Sequence, residues 1–181
     1  MKLAMIGLGR MGANIARRLM QHGHQLVGYD RNADAMADLA KDGAETVGAL
    51  EELAGKLDSP AIYWVMLPAG APTDHTIEAL SEHAKAGDII IDGGNSFWKD
   101  DIKRAAHLAK RDIRYVDVGT SGGVWGLERG YCMMIGGDKA VVDYLDPIFD
   151  ALAPGLGTIA RTPGRSMDEG EDPRAEKGYI H

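Results

Sequence analysis

Short apolar runs alternate along this chain with longer stretches of mixed character. Residues 2–6, 25–29, 61–67, 88–92 and 114–118 are compact and apolar, the pattern of buried strands. Residues 132–135 predict a further short strand before a Gly-Gly turn. Between these runs, residues 12–22 place Ile15, Ala16, Leu19 and Met20 on one stripe, the spacing of an amphipathic helix. Helices are also predicted over 34–42, stopped by Gly43, and over 46–57, 73–84, 100–110 and 140–152. Strand and helix in repeated alternation imply parallel strands joined by crossover helices, in an open sheet covered on both faces. No repeat of solenoid length interrupts this order. Past Pro154 the pattern fails. Residues 163–178 read PGRSMDEGEDPRAEKG, polar and rich in turn formers, which predicts an exposed loop or linker. The expected division is a domain over 1–162 and a polar linker over 163–181.

Three glycines sharpen this picture. Gly7, Gly9 and Gly12 in IGLGRMG fit G-x-G-x-x-G. The pattern alone is weak, but here a strand precedes it and a helix follows. In that setting Gly7 permits a tight turn, Gly9 permits close approach of a pyrophosphate, and Gly12 permits close helix packing. The free N–H groups at the helix start then hold the phosphates. Asp30 stands 18 residues after Gly12 at the end of the second strand. A carboxylate there accepts hydrogen bonds from ribose hydroxyls and repels a 2′-phosphate, which favours NAD. Arg31 follows and is suited to a phosphate, so NADP stays possible. The fold class expected is α/β, a Rossmann-type doubly wound and mainly parallel sheet with helices on both faces.

Ligands of such sheets lie beyond the carboxyl ends of the strands. Leu67, Pro68 and Ala69 follow the third predicted strand there. Gly93-Gly94-Asn95-Ser96 and Thr120-Ser121-Gly122-Gly123 follow later ones. Asn95 offers one acceptor and two donors, and the hydroxyls and bare N–H groups of the second cluster suit a carboxylate or hydroxyls. Either cluster alone reads as a turn; two on one rim point to a site. Cys132 and the Met133-Met134 pair read as core, Trp64, Trp98 and Trp125 as packing or rim residues, and Asp100-Asp101 as a helix start.

Composition narrows the rest. The chain has 181 residues, 45% of them apolar, and a net charge of −7. That suffices for a core and argues against nucleic acid or a membrane surface as partner. One cysteine excludes an intrachain disulfide and fits a cytoplasmic setting. The six histidines are scattered without metal-ligand spacing, so no metal is expected.

IGLGRMG, VMLPAG, IIDGGNSFWKDD and VGTSGGVWGLERGYCMMIGG, in this order, resemble decarboxylating 6-phosphogluconate dehydrogenase, most closely its short bacterial, often NAD-preferring form, within the β-hydroxyacid dehydrogenases. The resemblance runs from Met1 to the final Gly-Tyr-Ile-His. It implies a step of gluconate metabolism and the pentose phosphate pathway: hydride leaves C3 of 6-phosphogluconate for NAD or NADP, CO2 is lost, and ribulose 5-phosphate forms. It implies that Gly7, Leu8, Gly9, Arg10, Met11, Gly12, Asp30 and Arg31 hold the dinucleotide, and that Leu67, Pro68 and Ala69 line its site. Asn95 is implied to lie between cofactor and substrate, and Ser121, Gly122 and Gly123 to contact the sugar acid. The family's general-base lysine and proton-donating glutamate match nothing here. Lys177 stands in the linker and does not correspond to that lysine. Catalytic residues, a helical second domain and the homo-oligomer it supports are therefore expected beyond His181, and the chain alone is expected to bind dinucleotide without turnover. Two alternatives stay open: a β-hydroxyacid dehydrogenase of a small acid such as 3-hydroxyisobutyrate, and a non-catalytic dinucleotide-binding module.

Overall fold

The computed structural model describes residues 1–157 and 172–181. The chain begins with β1 (Lys2–Ile6), α1 (Arg10–Gln21), β2 (Gln25–Tyr29), α2 (Ala33–Lys41) and the two-residue β3 (Glu45–Thr46). It then crosses back through β4 (Ile62–Val65), α3 (Ala71–His83), β5 (Ile89–Asp92), α4 (Trp98–Ala109) and β6 (Arg114–Ser121). A short helix α5 (Gly126–Arg129), β7 (Cys132–Gly137) and α6 (Lys139–Leu152) follow, and α7 (Arg174–Lys177) and β8 (Tyr179–Ile180) close the described chain.

The sheet order is β3-β2-β1-β4-β5-β6-β7-β8. Strands β3 to β6 run parallel, β7 is antiparallel to β6, and β8 is parallel to β7. This is the doubly wound, mainly parallel α/β sheet that the alternating pattern predicts. Register aligns the carboxyl ends. Ile6 pairs with Tyr29 and with Val65, Val65 with Asp92, and Asp92 with Asp117. Gly7, Asp30, Met66 and Gly93 therefore leave the sheet at one rim. The ladder runs one residue past the strands: the Gly7 N–H donates to Tyr29 O, and the Gly93 N–H to Val65 O, each at 2.9 Å.

Each face buries its own cluster. Leu3, Met5, Trp64 and Ile91 pack with Ile15 and Leu19 of α1 and with Leu145 and Phe149 of α6. Ala4, Tyr63, Val65 and Ile90 pack with Ile77 of α3 and Leu108 of α4. Alternate residues of one strand serve opposite faces, so the strands read as unbroken apolar runs. Each large side chain buried this way contributes roughly 1.5–3 kcal/mol. The second cluster holds no residue of β7 or β8. On that side Met134 is 70% exposed and Ile180 47%.

Four sequence expectations change. Residues 46–57 form not a helix but the end of β3 and a 3-10 turn over Leu50–Gly55; Gly48 and Gly55 leave too few residues between them for a stable α-helix. Cys132 is exposed rather than core, and of the Met133-Met134 pair only Met133 is buried. Over a strand of six residues, the alternation of one buried face looks like a continuous apolar run. Asp101 does stand in the first turn of α4, but it is also buried. Of the predicted loop over 163–178, residues 163–171 lie outside the described residues, while 172–178 fold against the sheet edge. There Arg174 donates to Asp143 and Asp146, Lys177 pairs with Asp150, and Tyr179 is buried.

Arg18 of α1 is buried, and it spans the molecule. Its guanidinium donates to the carbonyls of Ala151, Leu152 and Ala153 at the end of α6, and to that of Leu127 in α5. A helix C-terminus has carbonyls without partners, and a cation satisfies them. Replacing Arg18 by Met keeps the stem and strands those acceptors. The expected loss is about 2–4 kcal/mol in urea unfolding, partly restored in Arg18→Lys; a loss below about 0.5 kcal/mol contradicts this role.

Candidate functional site

The chain leaves β1 in one direction toward β2 and β3, and returns to β4 on the other side of β1. Such a switch point opens a crevice beyond the strand ends. Here it is a cleft of about 570 Å³, bounded by Gly7 and Gly9, by Asp30 and Arg31, and by Leu67 and Pro68.

The first wall is the glycine turn. Gly7 has φ +93°, a region that side chains rarely adopt. A Cβ on Gly12 would overlap the Gly7 carbonyl oxygen, so α1 packs on the turn itself. Gly9 is different. It is the N-cap of α1 with φ −63° and ψ −176°, and a Cβ there would meet nothing within 4 Å. Neither strain nor packing in the protein demands a glycine at this position. The helix start is prepared for an anion. No side chain caps it, and its first turn holds no carboxylate. By contrast α2 and α6 are capped by Asn32 and Asp138. The amides at the start of α1 are therefore left without a side-chain acceptor, at the positive end of the helix dipole.

Asp30 forms the second wall. Its carboxylate accepts the Leu8 N–H at 2.6 Å and the Asn32 N–H at 2.8 Å. These bonds lock the carboxylate at the end of β2 while each oxygen keeps a further lone pair for a ligand hydroxyl. The third wall follows β4, where the Thr73 hydroxyl donates to Pro68 O at 2.9 Å and fixes the turn into α3.

A second cavity of about 430 Å³ lies along the rim, beyond β6 and β7. Asn95, Gly119, Thr120, Ser121 and Met134 line it. Asn95 has φ +54°, and its Oδ1 accepts the Thr120 N–H at 3.4 Å. Gly94 packs so closely on the Leu67 carbonyl that a Cβ would collide with it. The loop carrying Asn95 thus touches the wall of the first cleft and lines the second.

The structure sorts the candidate residues. Gly7, Gly9, Asp30, Arg31, Leu67 and Pro68 meet in the first cleft, and Asn95 and Ser121 in the second. Arg10, Met11 and Ala69 stand just outside the lining of the first cleft, Gly122 and Gly123 outside that of the second. Gly12 is buried under the turn, and the Leu8 side chain lies in the core with its N–H already given to Asp30. Sequence reasoning missed Met66, His75 and Thr76 in the first cleft. The i, i+1 pair His75 and Thr76 faces it because the first turns of α3 run beside the rim, a placement that no local motif signals. Among the described residues no cluster of His, Cys, Asp or Glu is placed to hold a metal, and no helix is long and apolar enough to cross a membrane.

Fold and rim together define a Rossmann-type dinucleotide-binding domain. Residues 2–161 match the family described as the NAD binding domain of 6-phosphogluconate dehydrogenase, and the chain belongs to that family. It is 39% identical over 155 residues to the NAD(+)-dependent, decarboxylating 6-phosphogluconate dehydrogenase of Haloferax volcanii, covering 86% of this chain and 51% of that one. The decarboxylating 6-phosphogluconate dehydrogenase of Haemophilus influenzae is 39% identical over 156 residues, 83% of this chain and 32% of that one. The chain thus spans about half the length of the first of these relatives and about a third of the second. Among solved structures, Plasmodium falciparum 6-phosphogluconate dehydrogenase, solved in its apo form, with its cofactor NADP+ and with its substrate, superposes with a TM-score of 0.81 at 28% identity over 87% of this chain and 35% of that one.

Under the rim lies a polar cluster in which Asp92 and Asp101 share one buried cation, Arg104, with Asp117 close enough to feel both carboxylates. Burial, then the charges of Asp101 and Asp92, hold the Asp117 carboxyl above the usual range. A raised acid pKa means that the neutral form is favoured in the fold. Its stabilising contribution is present at low pH and lost as pH rises through the folded pKa. Asp117→Asn should therefore raise Tm at pH 7.5, with the gain shrinking toward pH 4. A gain that is the same at both pH values contradicts the assignment.

Proposed function

We propose that this chain is the cofactor half of an enzyme that oxidises 6-phosphogluconate and decarboxylates it to ribulose 5-phosphate and CO2. The observation that carries the reading is Gly9: a glycine that the protein itself does not require, at an uncapped helix start, beside a locked aspartate. Gly9 and the N–H groups of Arg10 and Met11 would hold the pyrophosphate, and Asp30 would accept the adenosine ribose hydroxyls. Leu67 and Pro68 would cover the ring side of the dinucleotide. NAD, or NADP, when bound, supplies the hydride acceptor. Asn95 would stand between nicotinamide and sugar acid, with Ser121 and the backbone of Gly122 and Gly123 on the substrate. The family supports 6-phosphogluconate over a small hydroxyacid, since the match to it covers most of the chain. The full-length enzyme is proposed to be a homo-oligomer.

The lining of the second cavity carries no lysine, histidine or carboxylate. A general base must reach the proton that it removes, so the 181-residue chain should bind dinucleotide and not turn over. Titration by NADH fluorescence should show saturable binding at least about tenfold tighter than NADPH, because Asp30 repels a 2′-phosphate. Equal affinity, or tighter NADPH, would put Arg31 rather than Asp30 in control. Steady turnover of 6-phosphogluconate by this chain would overturn the division of labour.

Two glycine variants separate fold from binding. Gly9→Ala should keep Tm within about 1 °C, since its backbone conformation suits any residue, and weaken NADH at least about tenfold. Gly12→Ala should lower stability by about 2 kcal/mol or more through overlap with Gly7. A Gly9→Ala protein that binds NADH normally removes the proposed pyrophosphate site.

A further inference from the structure

The polar cluster under the rim does more than fill space. Asp92, at the end of β5, has a side chain only 1% exposed. Its Oδ1 accepts the Gly94 N–H at 2.9 Å, and its Oδ2 accepts the Ser96 hydroxyl at 2.7 Å. These bonds grip the chain on both sides of Asn95, the residue held at positive φ. Oδ2 also accepts from Arg104 Nη1 at 3.0 Å, and the Tyr115 hydroxyl sits between it and Asp101 Oδ1, at 3.1 and 2.8 Å. Arg104 is fixed in turn. Its Nη1 donates to Asp101 at 3.0 Å, and its Nε and Nη2 donate to Asp74 at 2.9 and 2.7 Å. Asp74 lies in the first turn of α3, straight after the segment that walls the first cleft. One guanidinium therefore links that wall to the loop that bears Asn95.

A purely structural ion pair would not need this arrangement. A buried aspartate–arginine pair adds little net stability over apolar packing. What it supplies is geometry: an Asn95 rotated into an unusual backbone state, with its amide oxygen accepting the Thr120 N–H at the second cavity. We infer that Asp92, braced by Arg104 and Tyr115, is the positioning residue for Asn95, fixing the Asn95 amide against the nicotinamide half of the dinucleotide. The inference rests on the cofactor reading of the first cleft. In it Ser96 is the second point of the grip, and Arg104 sets the distance between the Asn95 loop and the Leu67 wall.

The test compares NAD with ADP-ribose, which carries the adenosine and pyrophosphate portion but no nicotinamide. In calorimetry on the 181-residue chain, Ser96→Ala should weaken NAD about fivefold, the loss of one hydrogen bond, and leave ADP-ribose unchanged. Ser96→Thr should restore NAD affinity. Arg104→Lys should act in the same direction as Ser96→Ala, with a lower Tm. Equal weakening of both ligands would show a merely structural role and overturn the inference, as would unchanged NAD affinity in a folded Ser96→Ala protein. Amide exchange at Gly94 and Asn95 on the same samples separates the two readings. It should be about fivefold faster in Ser96→Ala. If the wild-type chain binds neither ligand, the cofactor reading fails; faster exchange then still supports the grip on Asn95, and unchanged exchange overturns it.

Discussion

The contact between Gly12 and the Gly7 carbonyl sets the position of everything at the rim. Because neither residue carries a side chain, α1 can start directly on the turn that ends β1. That places the positive end of the helix within reach of the crevice, and it brings the Leu8 N–H onto Asp30, so the glycine turn and the acid are one hydrogen-bonded unit. A methyl group at Gly12 would push the helix off the turn and pull both apart. Arg18, two turns further along α1, ties the same helix to the end of α6 and to α5. Helix α1 is thereby connected to the segment that follows the Ser121 cluster.

Much of this was legible in the sequence, for physical reasons. Parallel strands buried on both faces read as plain apolar runs, and β1, β2 and β5 stand almost where the runs end. The glycine turn and Asp30 were legible because close backbone approach and a strand-end acid leave few residue types to choose from. Asn95 and Ser121 were legible as polar, glycine-flanked residues at strand ends.

The rest was not legible, since it depends on what packs over a strand rather than on the strand. Cys132 and Met134 look like core, yet among the described residues the apolar cluster on that face of the sheet does not extend over β7. Residues 172–181 look like linker, yet Arg174 finds two aspartates on α6 and Tyr179 finds a buried slot beside β7. Asp101 looks like an ordinary acid in a first helical turn with Arg104 three residues on, and only the approach of α4 to β6 buries it and brings the Tyr115 hydroxyl onto it. These are pairings between residues far apart in the chain, and local pattern carries no record of them.

On the proposed function, the Gly9 turn and Asp30 are the two anchors of a dinucleotide. A crystal structure of this chain grown with NAD tests it most directly. The account predicts the pyrophosphate within hydrogen-bond distance of the amides at the start of α1, and the adenosine ribose hydroxyls on the Asp30 carboxylate. A dinucleotide bound elsewhere, or lying in the cleft with its ribose away from Asp30, would contradict it.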